Sequence, residues 1–377
     1  MEDIPENEIN NPQVQPAANG NNIVLVPKEP QITITKEEDL DHINVKSERL
    51  DIYEKSKLKP EKIMEKLGTL QFVKLEILTL NGIEIKSIEF LNNDNFKSLS
   101  ILELKNNEIK SLDKIGEAPY KDLKILDLSN NKINSINDIS KAPFTKIEIL
   151  VLSYNEISDV QPLSAQPLEN LKKLDLSKNK ITSIDSLGNN GAFKVLDYLY
   201  LNENQIEDIK FLKNESFKNL KELQLNGNKI ENIDVLKEVK IPDLKELKLY
   251  GNKIKSIQAL CEADFKKLET LNLGKNNITD VSKLTDAKFK DLKILDLFNN
   301  EVTDINIFNE NPFVKIAKLD ISYNYLKDIR PLSKLNSNIL TEVNFEGNSK
   351  LDYSVPEIEK IYKQFKIKYN FISKFSI

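Results

Sequence analysis

The sequence predicts an α/β solenoid, a curved horseshoe with one parallel β-sheet on its concave side. Turns, 3₁₀ pieces or short helices are expected on the convex side. Three observations lead there. First, the stretch Leu244-Lys-Glu-Leu247-Lys-Leu249-Tyr-Gly-Asn252-Lys-Ile254 recurs in frame along most of the chain. Its first leucine falls at Leu75, Leu99, Leu123, Ile147, Leu171, Leu196, Leu220, Leu244, Leu268, Leu292, Ile316 and Leu340, always 24 residues apart except for the 25 between Leu171 and Leu196. Second, each unit changes period: L-x-L alternates as a strand does, and the following I-x-x-I-x-x-L has the period of a tight return. Third, a compact globule of 377 residues would split into domains, whereas a solenoid grows by packing each repeat on its neighbours.

Residues 1–31 are rich in Asn, Pro, Gln and Glu, and Ile23-Val-Leu-Val26 is their one apolar cluster. They are expected to form a disordered tail, because so little apolar surface cannot offset the ordering entropy. Residues 32–70 are expected to cap the open end of the stack. Thr35-Lys-Glu-Glu38 has the capping-box pattern ahead of Leu40 and Ile43. Leu50 and Ile52 alternate as a degenerate first rung would. Pro60, then Ile63, Met64 and Leu67, with Gly68 as a stop, predict a short helix.

Residues 71–351 hold about twelve units of the form F-x-x-L-x-x-L-x-L-x-x-N-x-I-x-x-I-x-x-L. In the third unit these positions are Tyr120, Leu123, Leu126, Leu128, Asn131, Ile133, Ile136 and Ile139. Twelve strands at about 4.8 Å would make a concave platform on the order of 50 Å long. The aromatic slot (Phe72, Phe96, Tyr120, Phe144, Phe193, Phe217, Phe265, Phe289, Phe313) is expected to stack into an internal spine. Pro119, Pro143, Pro167 and Pro312 precede it and donate no hydrogen bond there. The extra residue of the longer unit falls near Gly188-Asn-Asn-Gly191, expected as a flexible loop. One unit buries about seven apolar side chains at ~1.5–3 kcal/mol each. Ordering its backbone costs ~1–2 kcal/mol per residue, so a lone unit is unstable and must stack.

Asn107, Asn131, Asn155, Asn179, Asn204, Asn228, Asn252, Asn276, Asn300, Asn324 and Asn348 form a column. A buried amide needs partners on both its carbonyl and its NH₂, and turning backbone of the same and adjacent units can supply them. The column is read as structural. Ile83 takes its place in the first unit. The last unit carries Lys350 where Ile is usual. Residues 352–377 are expected to close the far end, with an amphipathic helix over 355–366 built on Ile358, Ile361, Tyr362 and Phe365. An apolar tail follows through Phe371, Ile372, Phe375 and Ile377.

Composition narrows the function classes. Fifty-four basic against 59 acidic residues, net −5, argues against a nucleic-acid binder. The lysines at the second repeat position (Lys124, Lys172, Lys221, Lys245, Lys293) are expected to be a solvated rim. A single cysteine, Cys261, permits no intrachain disulfide. The opening Met1-Glu2-Asp3-Ile4-Pro5 has no apolar run, so no signal peptide is expected. No run of about 18 apolar residues occurs, so no membrane span is expected. A monomer in the cytosol or nucleus is the expectation. One histidine, His42, and one cysteine cannot build the usual zinc sets, and no phosphate loop or calcium loop is present. No enzyme, metal or cofactor is expected.

At these residues the chain resembles the leucine-rich repeat superfamily over about residues 70–351. The return Ile133-x-x-Ile136-x-x-Ile139 looks most like the SDS22-like subclass. That resemblance implies a non-catalytic scaffold with a protein partner on the concave face, and as an alternative a regulatory subunit of a Ser/Thr protein phosphatase. Lys86-Ser-Ile88-Glu-Phe90 matches the basic-x-Ile-x-Phe docking pattern of phosphatase-1 partners, although Ile88 is also a regular core position. Ile157-Ser-Asp-Val-Gln-Pro-Leu163 resembles the internalins, which are secreted adhesins.

The third and fifth positions of the frame alternate with the inward leucines, so they are expected to face out of the concave sheet. Ile77, Ile101, Ile125 and Ile149 should then form an exposed apolar column, with Val151 beside them and Tyr154 on the rim. Tyr198 and Tyr200 share a strand farther on, followed by Tyr250, Phe298 and Tyr323. Glu103, Asp127, Asp175, Asp296 and Asp320 are expected to rim the patch with charge. Apolar surface rimmed by charge, rich in Tyr, is a usual mark of a protein interface.

Overall fold

A computed structural model describes residues 32–34, 37–53, 58–165, 168–310 and 312–368. The expected tail at 1–31, the capping pair Thr35-Lys36, Pro167 and the apolar run Phe371–Ile377 lie outside the described residues. The strands are β1 Ile32–Ile34, β2 Arg49–Tyr53, β3 Ile77–Asn81, β4 Ile101–Glu103, β5 Ile125–Asp127, β6 Ile149–Val151 and β7 Lys173–Asp175. They continue as β8 Tyr198–Tyr200, β9 Glu222–Gln224, β10 Glu246–Lys248, β11 Thr270–Asn272, β12 Ile294–Asp296, β13 Lys318–Asp320 and β14 Glu342–Asn344. They form a single 14-stranded sheet in chain order, each pair parallel. The sheet is therefore two rungs longer than the repeat frame alone predicts, because β1 and β2 of the N-terminal cap pair onto β3.

Each repeat strand spans the third to fifth positions of the frame, one residue earlier than L-x-L. It centres on the inward fourth-position leucine, with Leu78, Leu102, Leu126 and Leu150 paired in register and buried. The returns are mostly 3₁₀ turns such as Asn137–Lys141 and Asp234–Glu238. Two are single helical turns, α3 Gln161–Ser164 and α4 Gln258–Glu262. The Gly188 region folds as a defined 3₁₀ turn, Asn189–Gly191. Gly188 enters it at φ 83° with no room for a Cβ, since Phe217 would stand 2.9 Å away.

The asparagine column is a continuous ladder. Asn131 accepts from Ile109 N–H at 3.1 Å and donates to Leu104 and Leu128 carbonyls at 2.9 and 3.0 Å. The same pattern repeats through Asn348, each amide tying its own turn to the turn of the preceding unit. In every unit the residue just before this slot has a positive φ, from Gly82 at 70° to Gly347 at 71°. Glycine or asparagine suits that conformation, yet Tyr154 (56°), Lys178 (56°), Glu203 (51°), Lys275 (52°) and Tyr323 (53°) hold it too.

The aromatic spine is buried throughout, with rings of successive units in contact, as at Phe72–Phe96 (6.2 Å) and Phe289–Phe313 (5.9 Å). Tyr120 is the one hydroxylated ring in the slot. Its oxygen is buried with no hydrogen-bond partner, and burial pushes the phenol above its ordinary range. Tyr120→Phe should therefore stabilise the fold by about 1–2 kcal/mol, since it removes an unpaired buried hydroxyl. A rise in the urea midpoint would show it, and a fall would mean the hydroxyl is satisfied.

Lysines of the second repeat position are not merely a solvated rim. Lys172, Lys221 and Lys293 each pair with the acidic residue one unit back: Glu148 (2.7 Å), Asp197 (2.8 Å) and Glu269 (2.7 Å). Exposed pairs of this kind contribute little individually, but they add a register preference at the stack's flank. The N-terminal cap adds α1 Glu37–Asp41 and α2 Pro60–Thr69. The latter buries Ile63 and Leu67 and runs past Gly68 to Thr69. At the far end α5 Pro356–Lys368 buries Ile358, Ile361 and Phe365, with Phe365 edge-on to Phe345 at 6.1 Å.

Candidate functional site

The concave face is a set of columns, because parallel register places the same frame position of each unit side by side. The third-position column begins Ile77, Ile101, Ile125, Ile149, Lys173, Tyr198. Ile101, Ile125, Ile149 and Val151 are half-buried, offering an aliphatic strip three strands wide. Ile77 does not belong to it. It is 9% exposed, set between Arg49 of β2 and Ile101 of β4, and Thr79 on the same strand is buried as well. The cap strand thus covers the end of the predicted column. Tyr154 stands on the rim at 51% exposure, in the left-handed conformation noted above, with Lys178 Nζ 4.4 Å from its ring centroid.

Beyond the strip the face turns polar and satisfies itself. Lys173 Nζ lies 4.7 Å from the Tyr200 centroid. Burial and the neighbouring Glu222 carboxylate push the Tyr200 phenol above its ordinary range. Asn202 donates to Gln224 at 2.6 Å, and Lys248 pairs with Glu246 at 3.2 Å. Tyr198 and Tyr200 are half-buried in this belt rather than free-standing. At the C-terminal half Tyr250 and Phe298 are half-buried, and Tyr323 is 58% exposed.

The predicted acidic rim is corrected at Asp296 and Asp320, while Asp127 and Asp175 stay half-exposed. The Oδ1 atoms of Asp127, Asp175, Asp296 and Asp320 accept the backbone N–H two residues on, at 2.8–3.0 Å, and so brace the turn out of the strand. Asp296 and Asp320 are each only 4% exposed and cannot rim anything. Burial holds the Asp175 and Asp320 carboxyls above the usual range and pushes Asp296 up to about 7, helped there by the Asp320 charge. The Asp-x-Ser spacing at 127, 175 and 320 is an Asx-turn signature, so this role was open to sequence reading. Glu103 stays partly exposed, receives Asn81 Nδ2 at 3.3 Å and shares Lys105 with Asp127. Lys105, Lys173 and Lys178 are the facing residues that the leucine frame did not single out.

Segment Lys86–Phe90 is not a free docking peptide. Ile88 is 2% exposed in the core, and Phe90 packs edge-on to Phe96 at 6.5 Å. Among the described residues no cluster of His, Cys, Asp or Glu suited to a metal ion occurs, and no helix is long and apolar enough to cross a membrane. Cys261 is a buried free thiol, pushed up to about 12 by burial.

Known proteins share this architecture. A model described as leucine rich repeats (2 copies) matches residues 145–189, 169–214, 194–238, 218–262, 242–286 and 266–310, and one described as leucine rich repeat matches 97–157. A leucine-rich repeat protein of Leptospira interrogans is similar at 21% identity, with 91% of this chain and 100% of that one covered and a TM-score of 0.69. An internalin, InlF, of Listeria monocytogenes is similar at 24% identity, with 77% of this chain and 87% of that one covered and a TM-score of 0.60. The plant peptide hormone receptor RGFR1, solved in complex with RGF2, is 16% identical, with 85% of this chain and 65% of that one covered and a TM-score of 0.53. No curated protein matches the sequence.

Proposed function

This chain belongs to the leucine-rich repeat superfamily, and on that premise we propose that it is a non-catalytic interaction scaffold holding a protein partner on its concave face. One observation carries the reading. Ile101, Ile125, Ile149 and Val151 stand in register, half-exposed, on a rigid sheet. Tyr154 rises beside them, 51% exposed, at the left-handed turn that every unit shares. An aliphatic strip edged by a fixed aromatic ring suits the desolvated centre of a protein interface.

The experiment is affinity capture with Ile101→Glu/Ile125→Glu. Neither side chain enters the core, so circular dichroism and the melting curve should match the native chain. Capture of the partner should fall by tenfold or more, about 1.4 kcal/mol or above, as charge is placed in a desolvated patch. A folded double variant that keeps full affinity would sink the proposal.

A phosphatase catalytic subunit is the runner-up occupant, on the strength of the return segment Ile133-x-x-Ile136-x-x-Ile139. The same capture run with the purified catalytic subunit decides it. We propose a cytosolic or nuclear location, in keeping with a single cysteine that can form no intrachain disulfide. A secreted pool on fractionation would favour an adhesin instead.

A further inference from the structure

The C-terminal half of the concave face carries a feature that the isoleucine strip does not use. Tyr250 and Phe298 hold the same frame position two units apart, and their rings lie nearly parallel (14°) with centroids 6.5 Å apart. They meet because Gly274 stands between them in that column. A Cβ there would lie 2.8 Å from Tyr250 Cδ2 and 3.0 Å from Asp296 Oδ1. Phe298 meets Tyr323 edge-on at 5.4 Å and 67°. The Tyr323 ring in turn lies over Gly347, whose added Cβ would meet it at 2.9 Å. Two rings therefore run parallel and a third stands across them, with Tyr323 58% exposed.

Behind the rings lie two buried acidic side chains held by neutral donors, with Ser322 and Asn344 donating to Asp320. Asp296 Oδ1 accepts the Phe298 N–H at 2.8 Å, and it and the Tyr250 ring both border the space that a Gly274 Cβ would fill. Asp320 is its partner in register on β13. Among the described residues neither carboxylate forms an ion pair with a Lys or Arg. At the other end of the face Asp127 has Lys105 at 3.3 Å, and here Lys318 pairs with Glu342 at 2.8 Å.

We propose that this aromatic corner receives the guanidinium of an arginine side chain on a peptide segment of the partner. Ring faces attract cations, and a planar guanidinium stacks on them while remaining charged. The Asp320 carboxylate behind a thin apolar layer adds to that attraction, since little water screens it, and Asp296 adds to it once ionised. Burial keeps Asp296 hard to ionise at a cost to the fold, and a cation laid against the rings favours its charged form. A cost of that kind, placed on the binding face, is a usual mark of a functional group.

The test uses a dye-labelled peptide of four Gly-Arg repeats, read by fluorescence anisotropy on the full chain. Versions with citrulline and with lysine in place of arginine run alongside. The arginine peptide should bind about fivefold or more tightly than the citrulline peptide, in line with a partly desolvated cation–π contact. Tyr323→Gly keeps the φ of 53° accessible and should fold. It should erase most of the preference, as should Asp296→Asn. Equal binding of arginine and citrulline peptides, equal binding of arginine and lysine peptides, or a preference untouched by both variants would each overturn the assignment. Arginine capture at this corner rests on the concave face being the partner surface. Ile101→Glu/Ile125→Glu lies about 25–45 Å away along the sheet, so peptide preference can vanish while strip-dependent capture persists, and the reverse.

Discussion

Asn204→Ala is expected to destabilise the chain by on the order of 3 kcal/mol, because several buried backbone groups lose their partner at once. Asn204 Oδ1 accepts from Ile181 N–H at 3.1 Å, and its Nδ2 donates to the Leu176, Leu201 and Asn202 carbonyls at 3.0, 3.2 and 3.2 Å. Alanine offers neither a donor nor an acceptor to these groups. The position lies mid-stack, so the loss also loosens the junction between the two halves of the solenoid, where neighbour coupling holds the fold together. Urea denaturation should show an earlier midpoint and a broader transition. An unchanged midpoint would mean that the ladder contributes nothing beyond the apolar core.

Asp296→Asn is expected to act in the opposite direction and to depend on pH. The folded-state carboxyl titrates at about 7, above its ordinary 3.8, because burial and the Asp320 charge disfavour the anion. The folded state therefore holds this proton more tightly than the unfolded chain does. Stability falls as pH rises from about 4 to about 7 and levels off above that. The amide keeps the acceptor for Phe298 N–H and cannot ionise. The variant should match the native chain near pH 4 and exceed it at pH 8 by on the order of 4 kcal/mol, because each tenfold difference in proton affinity is worth about 1.4 kcal/mol. Taking the difference between the two proteins at each pH removes the other titrating groups. A difference that does not grow between pH 4 and pH 8 would show that Asp296 ionises normally.

Much of the fold was legible in the chain because its signals are local and repeated. The 24-residue frame, the switch from period two to period three, the asparagine column and the aromatic slot each concern one unit and its copy. Caps were legible where they used ordinary helix grammar, as at Pro60 and over 356–368. The candidate site was legible only as a set of outward positions. The same alternation that put Ile101, Ile125 and Ile149 outside put Ile77 there too, and nothing near Ile77 in sequence says that Arg49 lies beside it.

Period and face follow from the chain alone: which side chain of each unit points inward and which columns line the sheet. Periodicity suffices for that, because burying the leucines of one unit against the next leaves a single way to stack. Which outward residues remain available is settled by packing between strands. Exposure of a short side chain depends on what stands one strand away, at a distance of 24 residues in sequence. Gly274 leaves room for both the Tyr250 ring and the Asp296 carboxyl, which is 4% exposed, and Gly347 leaves room for the Tyr323 ring, which is 58% exposed. The left-handed turn before each asparagine also arises between units. Closing the ladder forces that backbone on Tyr154 and Tyr323 as firmly as on glycine, since the hydrogen bonds gained outweigh the local strain.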